Sequence, residues 1–163
     1  MMAALLARPF VDAAEIIAFS EDGVPDDART VETAGLLLRT YETAVIPGFY
    51  GSDASGGIHT FSRGGSDITG SLVAAAVNAD LYENWTDVSG VYDRDPQACA
   101  HARRYRYISY EDMRRLAGAG AAVLLPAALE PAQQAGIPIR IKNSFRPGDE
   151  GTLISNGDYE ELI

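Results

Sequence analysis

From Ile68 to Val77 the chain sets Ile68, Leu72, Val73, Ala75, Ala76 and Val77 on nearly every side of a helix. A surface helix carries a single apolar stripe, so one that is apolar all round must lie between a sheet and another layer. The residues that open this helix, Arg63-Gly64-Gly65-Ser66-Asp67, are of the opposite kind. An acidic chain that keeps an arginine, two glycines, a serine and an aspartate at such a junction has a reason beyond packing.

The remaining sequence supplies the layers. Ala14–Phe19 reads as a strand, and Thr30–Tyr41 as a helix with Val31, Ala34, Leu37 and Leu38 at helical spacing. Thr43–Gly51 reads as a buried strand ending in a glycine turn, followed by a polar loop over Ser52–Phe61. Leu81–Thr86, Arg104–Ser109, Ile137–Asn143 and Gly151–Ile154 read as further strands. Ser109 with Asp112 resembles a capping box for a helix from Tyr110, and Pro126 opens another that Gly136 stops. The alternation predicts an α/β fold with a mostly parallel sheet and helices on both faces. At 163 residues it is read as a single domain, residues 1–163.

Charge narrows the function. With a formal net charge of −10 the chain lacks the basic face that nucleic acid or an anionic membrane requires. A nucleotide needs only a local positive pocket and stays allowed. Twelve of the thirteen basic residues are arginine and Lys142 is the only lysine, which excludes a Gly-Lys-Ser/Thr phosphate loop. Chemistry that needs two converging lysines is excluded within this chain for the same reason. Cys99 is alone, and His59 and His101 lack companions at ligand spacing, so neither a disulfide nor a structural zinc site is expected. The N-terminal run has no signal-peptide pattern and no segment is apolar enough to span a membrane, so the chain reads as cytoplasmic.

At Arg63–Asp67 two glycines allow positive φ and close approach to a ligand. Helix-start amides and the helix dipole favour an anion, and Arg63 suits a carboxylate. Asp67 would repel a bare phosphate but suits an ammonium group. Together they describe a site for an α-amino acid. The same residues equally suit a Gly-Gly turn with Ser66 or Asp67 as the helix cap and Arg63 in solvent. In Asn84–Pro96, Thr86 and Asp87 end a strand and Tyr92, Asp93 and Asp95 follow, where α/β folds place ligands beyond strand ends. Tyr92 could face a purine, and Thr86 and Asp87 its edge or ribose. An Asp-rich turn explains the pattern as well. The third stretch, from Arg140 to Ile154, reads simply as strand, Pro-Gly turn, strand.

These stretches in this order, "AVIPGFYGS", "SRGGSDITGSLVAAAVNAD", "WTDVSGVYDRDP", "ISYEDM" and "KNSFRPGDEGTLI", resemble aspartate kinase of the amino acid kinase family. The resemblance implies a partial amino acid kinase-like fold and transfer of the γ-phosphoryl group of ATP, with Mg²⁺, to the side-chain carboxylate of L-aspartate. That is the step that leads towards lysine, threonine and methionine. It places Phe49, Arg63, Gly64, Gly65, Ser66 and Asp67 at the aspartate site, with Asp67 the candidate catalytic group. It places Thr86, Asp87, Tyr92 and Asp95 at the nucleotide, and it implies no metal-binding residue of the chain's own.

Departures from the family pattern temper the activity expected. The family's Lys-Phe-Gly-Gly segment has no counterpart here, nor do its regulatory domains. Gly120–Pro126 carries Ala122 and Leu125 where the family has lysine and histidine, and Gln97 stands where an arginine is common. The chain alone is therefore expected to be inactive or nearly so. Non-catalytic binding of an amino acid or nucleotide, or service as half of a split kinase, are the alternatives. An open sheet edge is expected to favour self-association or a complementing N-terminal lobe.

Overall fold

The structure, a computed structural model, describes residues 1–96, 98–118 and 123–157, together with the backbone of 161–162. They form two compact units, Met1–Ala79 and Asp80–Ile163. Among the described residues no helix is long and apolar enough to cross a membrane.

In the first unit, α1 (Met2–Leu6) and α2 (Ala13–Ile16) precede the longer α3 (Asp27–Leu38), a short antiparallel hairpin of β1 (Tyr50–Ser52) and β2 (Ile58–Thr60), and α4 (Gly65–Val77). The strand expected over Ala14–Phe19 is instead α2 followed by two isolated bridges, Ala18 to Ser52 and Phe19 to Pro25. Asp12 explains the change, because its carboxylate accepts from the Ala14 amide at 3.0 Å and Glu15 sits in the first turn. The strand expected over Thr43–Gly51 is also interrupted. Val45 bridges Phe10, then the chain breaks at Phe49, whose φ is 78°. The expected loop over Ser52–Phe61 contains β2 and closes the hairpin.

Helix α4 lies against α3 and buries Ile68, Thr69, Ser71, Leu72 and Ala74. Gly35 permits this closeness, since a Cβ there would stand 2.9 Å from the Ala76 carbonyl oxygen. Asn78, left-handed at φ 50°, ends the helix, and the Ala79 amide returns to Ala74 O at 3.0 Å.

The second unit is a sheet of β3 (Tyr82–Thr86), β4 (Tyr105–Ser109), β5 (Ile139–Asn143), β6 (Thr152–Ser155) and β7 (Glu161–Leu162), with α5 (Tyr110–Gly118) and α6 (Pro126–Gln134). Spatial order is β3-β5-β6-β4-β7. The pairs β3/β5 and β4/β6 are parallel, β5/β6 and β4/β7 antiparallel, giving a mixed sheet in the expected α/β class. Ile108, Ile139, Ile141 and Ile154 are buried from the strands, with Met113, Leu124, Leu129 and Ala132 from the helical side. Half of the capping box forms: Ser109 Oγ accepts from the Asp112 amide at 3.0 Å, while the Asp112 carboxylate accepts from the Ser109 hydroxyl at 2.5 Å in place of the Ser109 amide.

Candidate functional site

The first cluster is built on the start of α4. Gly64 takes the cap position in the left-handed region (φ 63°), and no side chain caps the helix. Neither Ser66 nor Asp67 serves as the cap, but the glycine turn and the solvent-exposed Arg63 of the alternative reading are both present. Without a side-chain acceptor, the Gly65 and Ser66 amides are left to an anion, while the Asp67 amide already donates to Gly64 O at 3.1 Å. Ser66 and Arg63 are exposed and Asp67 half-buried on the first turn.

The segment Gly48–Phe49 lies directly over this turn. A Cβ on Gly65 would come within 2.9 Å of Phe49 Cα and 2.8 Å of Phe61 Cβ, and one on Gly48 within 3.0 Å of Ser66 Cα. Gly65 is therefore required by space. Phe49 is bound on both sides of its peptide: its amide donates to Thr69 Oγ1 at 3.1 Å, and its carbonyl accepts from Phe61 N at 3.0 Å. The residue is 51% exposed, and its ring meets Tyr50 edge-on at 6.0 Å. The structure thus brings Phe49, Gly64, Gly65 and Ser66 together at one turn.

Two carboxylates brace this arrangement from the hairpin side. Asp12 accepts from Ala14 N and, at 2.7 Å, from the Tyr50 hydroxyl, and these bonds hold its carboxyl below the usual range. Asp53 Oδ1 accepts from Ser55 Oγ, Ser55 N and Gly57 N at 2.7–2.9 Å, while Oδ2 meets His59 Nε2 at 2.7 Å. The Ser55 hydroxyl, then His59 and the Gly57 amide, hold Asp53 far below the ordinary carboxylate range. His59 also stacks on Phe19 at 5.7 Å.

The second cluster follows β3. Thr86, half-buried, donates its hydroxyl to Asp87 Oδ1 at 3.2 Å and accepts from Ser144 N at 2.7 Å through its carbonyl. Asp87 is exposed; Tyr92 is half-buried and bridges Arg104. Asp95 is exposed in a turn whose carbonyl accepts from Ala98 and Cys99 amides at 3.2 and 2.9 Å. Of the three substituted positions, Gln97 and Ala122 lie outside the described residues, while Leu125 stands at the cap position of α6.

Sequence reading missed how the loop after Asp87 is held. Ser89 Oγ donates to Asp149 Oδ2 at 2.6 Å and accepts from Asn143 Nδ2 at 2.9 Å, and Arg104 donates to Ser89 O at 2.9 Å. Gly90, at φ 141°, packs so closely that a Cβ would sit 2.4 Å from Thr152 Oγ1. That hydroxyl is itself fixed, accepting from Val91 N and donating to Tyr105 O. Lys142, the only lysine, donates to the carbonyls of Pro147 and Asp149 at 3.1 and 2.5 Å and lies 5.3 Å from the centroid of Trp85. Only the paired strand register, Trp85 beside Lys142, could have signalled that last contact.

A glycine-gated helix start in one unit and a strand-end loop in the other, on an α/β scaffold, define a class. The chain belongs to the amino acid kinase family, whose model matches residues 1–143. Within it the chain is an aspartate kinase-type partial catalytic domain. Aspartokinase 3 of Bacillus subtilis is 46% identical over 110 residues, which are 68% of this chain and 24% of that protein. The solved aspartate kinase of Clostridium acetobutylicum superposes with TM-score 0.90 at 47% identity over 98% of this chain and 37% of its own. Escherichia coli aspartokinase III, solved in complex with aspartate and ADP, gives 0.83 at 34% identity over 92% of this chain and 35% of its own. The chain thus spans roughly a quarter to just over a third of the length of these relatives.

Proposed function

We propose that this chain carries the L-aspartate-binding and nucleotide-binding portions of an aspartate kinase catalytic domain. Its helix-start amides with Arg63 and Ser66 would take the α-carboxylate, Asp67 the ammonium, and Phe49 would wall the pocket. Thr86, Asp87, Tyr92 and Asp95 would take the nucleotide. The reaction joins an oxygen of the substrate's side-chain carboxylate to the γ-phosphorus and releases ADP as the bond to its bridging oxygen breaks. The observation that carries the reading is the uncapped Gly64–Gly65 start of α4 with Phe49 seated over it. A relative solved with aspartate and ADP supports both ligand classes.

Mg²⁺ fits this reading as an ion borne by the nucleotide phosphates. Among the described residues no group of three or more His, Cys, Asp or Glu could cage a metal. Magnesium commonly needs only one or two protein carboxylates beside substrate phosphates and water. When bound, it would neutralise charge on the transferring group.

The 163 residues by themselves are proposed to transfer phosphate slowly or not at all. Lys142 is engaged by two carbonyls, so a phosphate-side cation has to be an arginine or come from another segment. Losing one preorganised charge costs on the order of 10²–10³ in rate. This favours a second reading, in which the chain works with a lysine-bearing complementing lobe. Self-association through the β3 edge belongs to the same picture, and concentration-dependent light scattering tests it.

Calorimetry with L-aspartate, and separately with ADP and Mg²⁺, tests the binding assignment. Saturable binding of L-aspartate that Arg63→Ala abolishes is expected; no binding by a folded chain would overturn it. Robust turnover by the 163 residues alone would sink the inactivity proposal.

A further inference from the structure

Thr69 and Ser71 are the polar residues that α4 buries, and Thr69 is only 4% exposed. Its hydroxyl donates to Gly65 O, one turn back, at 2.8 Å, and this commits its one proton. The oxygen lone pairs are then free to accept from Phe49 N at 3.1 Å. The result is a directed relay, Phe49 N–H to Thr69 O–H to Gly65 C=O, that ties the Gly48–Phe49 segment to the first turn of α4. A threonine that bonds back to its own helix gives that helix nothing and tends to bend it. Its use lies with Phe49.

Phe49 has φ 78°, a left-handed conformation that a bulky residue adopts only when its surroundings impose it. Released from its partners, the backbone would relax towards negative φ and carry Gly48 and the Phe49 ring off the helix start. We propose that Thr69 is a positioning residue for amino-acid recognition, holding Phe49 in its left-handed state over the Gly64–Gly65 turn so that the pocket exists before ligand arrives. The inference rests on the aspartate reading of that turn. Thr69 touches no ligand in this account and acts through Phe49.

The test uses the 163-residue chain and three variants, with L-aspartate as the probe. Thr69→Val keeps the shape and removes both bonds; Thr69→Ser keeps both. Thr69→Ala removes the hydroxyl with the best helix former and serves if valine does not fold. Two quantities are read: L-aspartate affinity by calorimetry, and exchange of the Phe49 amide by NMR. Val or Ala should weaken L-aspartate and speed Phe49 exchange by about three- to tenfold each, the worth of one net hydrogen bond, and Ser should restore both. A general packing role would lower the melting temperature without a selective change at Phe49. A folded Val or Ala variant with wild-type affinity and a protected Phe49 amide overturns the inference alone. If wild type does not bind L-aspartate, the site reading falls first, and Phe49 exchange still decides whether the relay exists.

Discussion

The two candidate clusters solve opposite problems. At the start of α4 no side chain caps the helix, and the geometry is set by closeness: Gly65 against Phe49, Gly48 against Ser66. After β3 the chain does the reverse. Ser89, Asn143, Asp149, Arg104 and Thr152 bond to one another and to the loop backbone, so its polar groups are largely spent internally. A site made by leaving amides unpaired is suited to a charged small molecule. A loop clasped by its neighbours presents a rigid edge, with Thr86, Asp87 and Tyr92 as the groups on offer. The first can be damaged by adding a methyl group, the second by cutting its clasp.

Between the glycines of the two clusters, the larger effect is expected at Gly90. An alanine there meets Thr152 Oγ1, which is held on both sides, and must also adopt φ 141°. Gly90→Ala should cost about 3 kcal/mol in urea unfolding, combining overpacking with an unfavourable backbone conformation. Next comes Gly65→Ala, at roughly 1–3 kcal/mol, with loss of L-aspartate binding as Phe49 is pushed off the helix. The pair separates the regions: Gly65→Ala should leave nucleotide binding intact, and Gly90→Ala should leave L-aspartate binding intact once folded. Variants that each remove both ligands would break the comparison.

Lys142→Met sharpens it further. The methionine keeps much of the stem but leaves the Pro147 and Asp149 carbonyls without their ammonium, and removes the cation from the Trp85 face. A loss of about 1–2 kcal/mol is expected, with any nucleotide affinity reduced no more than the loop loosening explains. A large drop in nucleotide affinity with unchanged stability would instead make Lys142 a ligand contact.

How much of this was legible follows from the range of the interactions. Ser109 with Asp112, the apolar helix from Ile68 and the strand before Asp87 are local patterns, and each forms where the sequence places it. Asp12 with Glu15 is local too, yet the four apolar residues Ile16–Phe19 that follow mimic a strand, and short apolar runs do not separate the two. Phe49 is another matter. Nothing in "PGFYGS" says that the phenylalanine takes positive φ, because its backbone partners, Phe61 and Thr69, lie twelve and twenty residues further along the chain. The capture of Lys142 by carbonyls of its own hairpin depends likewise on how the Ser144–Gly151 loop closes over β5. The elements of the candidate site could be read; the contacts that hold them in place could not.

The smallest effect lies in the hairpin that leads to Arg63. Asp53 is held far below the ordinary carboxylate range by the Ser55 hydroxyl, His59 and the Gly57 amide. A carboxylate depressed in the folded state adds stability that is fully present above its unfolded value, near 3.9, and is lost as pH falls through the folded one. Wild type should therefore exceed Asp53→Asn in melting temperature by a constant margin above about pH 5, and that margin should shrink steadily below about pH 4. Because the contacts sit at a solvent-facing turn, salt should reduce the margin as well. A margin independent of pH would mean that Asp53 braces the hairpin through hydrogen-bond geometry alone, which asparagine can share. In that case the hairpin, like the helix start it precedes, owes its shape to backbone donors rather than to charge.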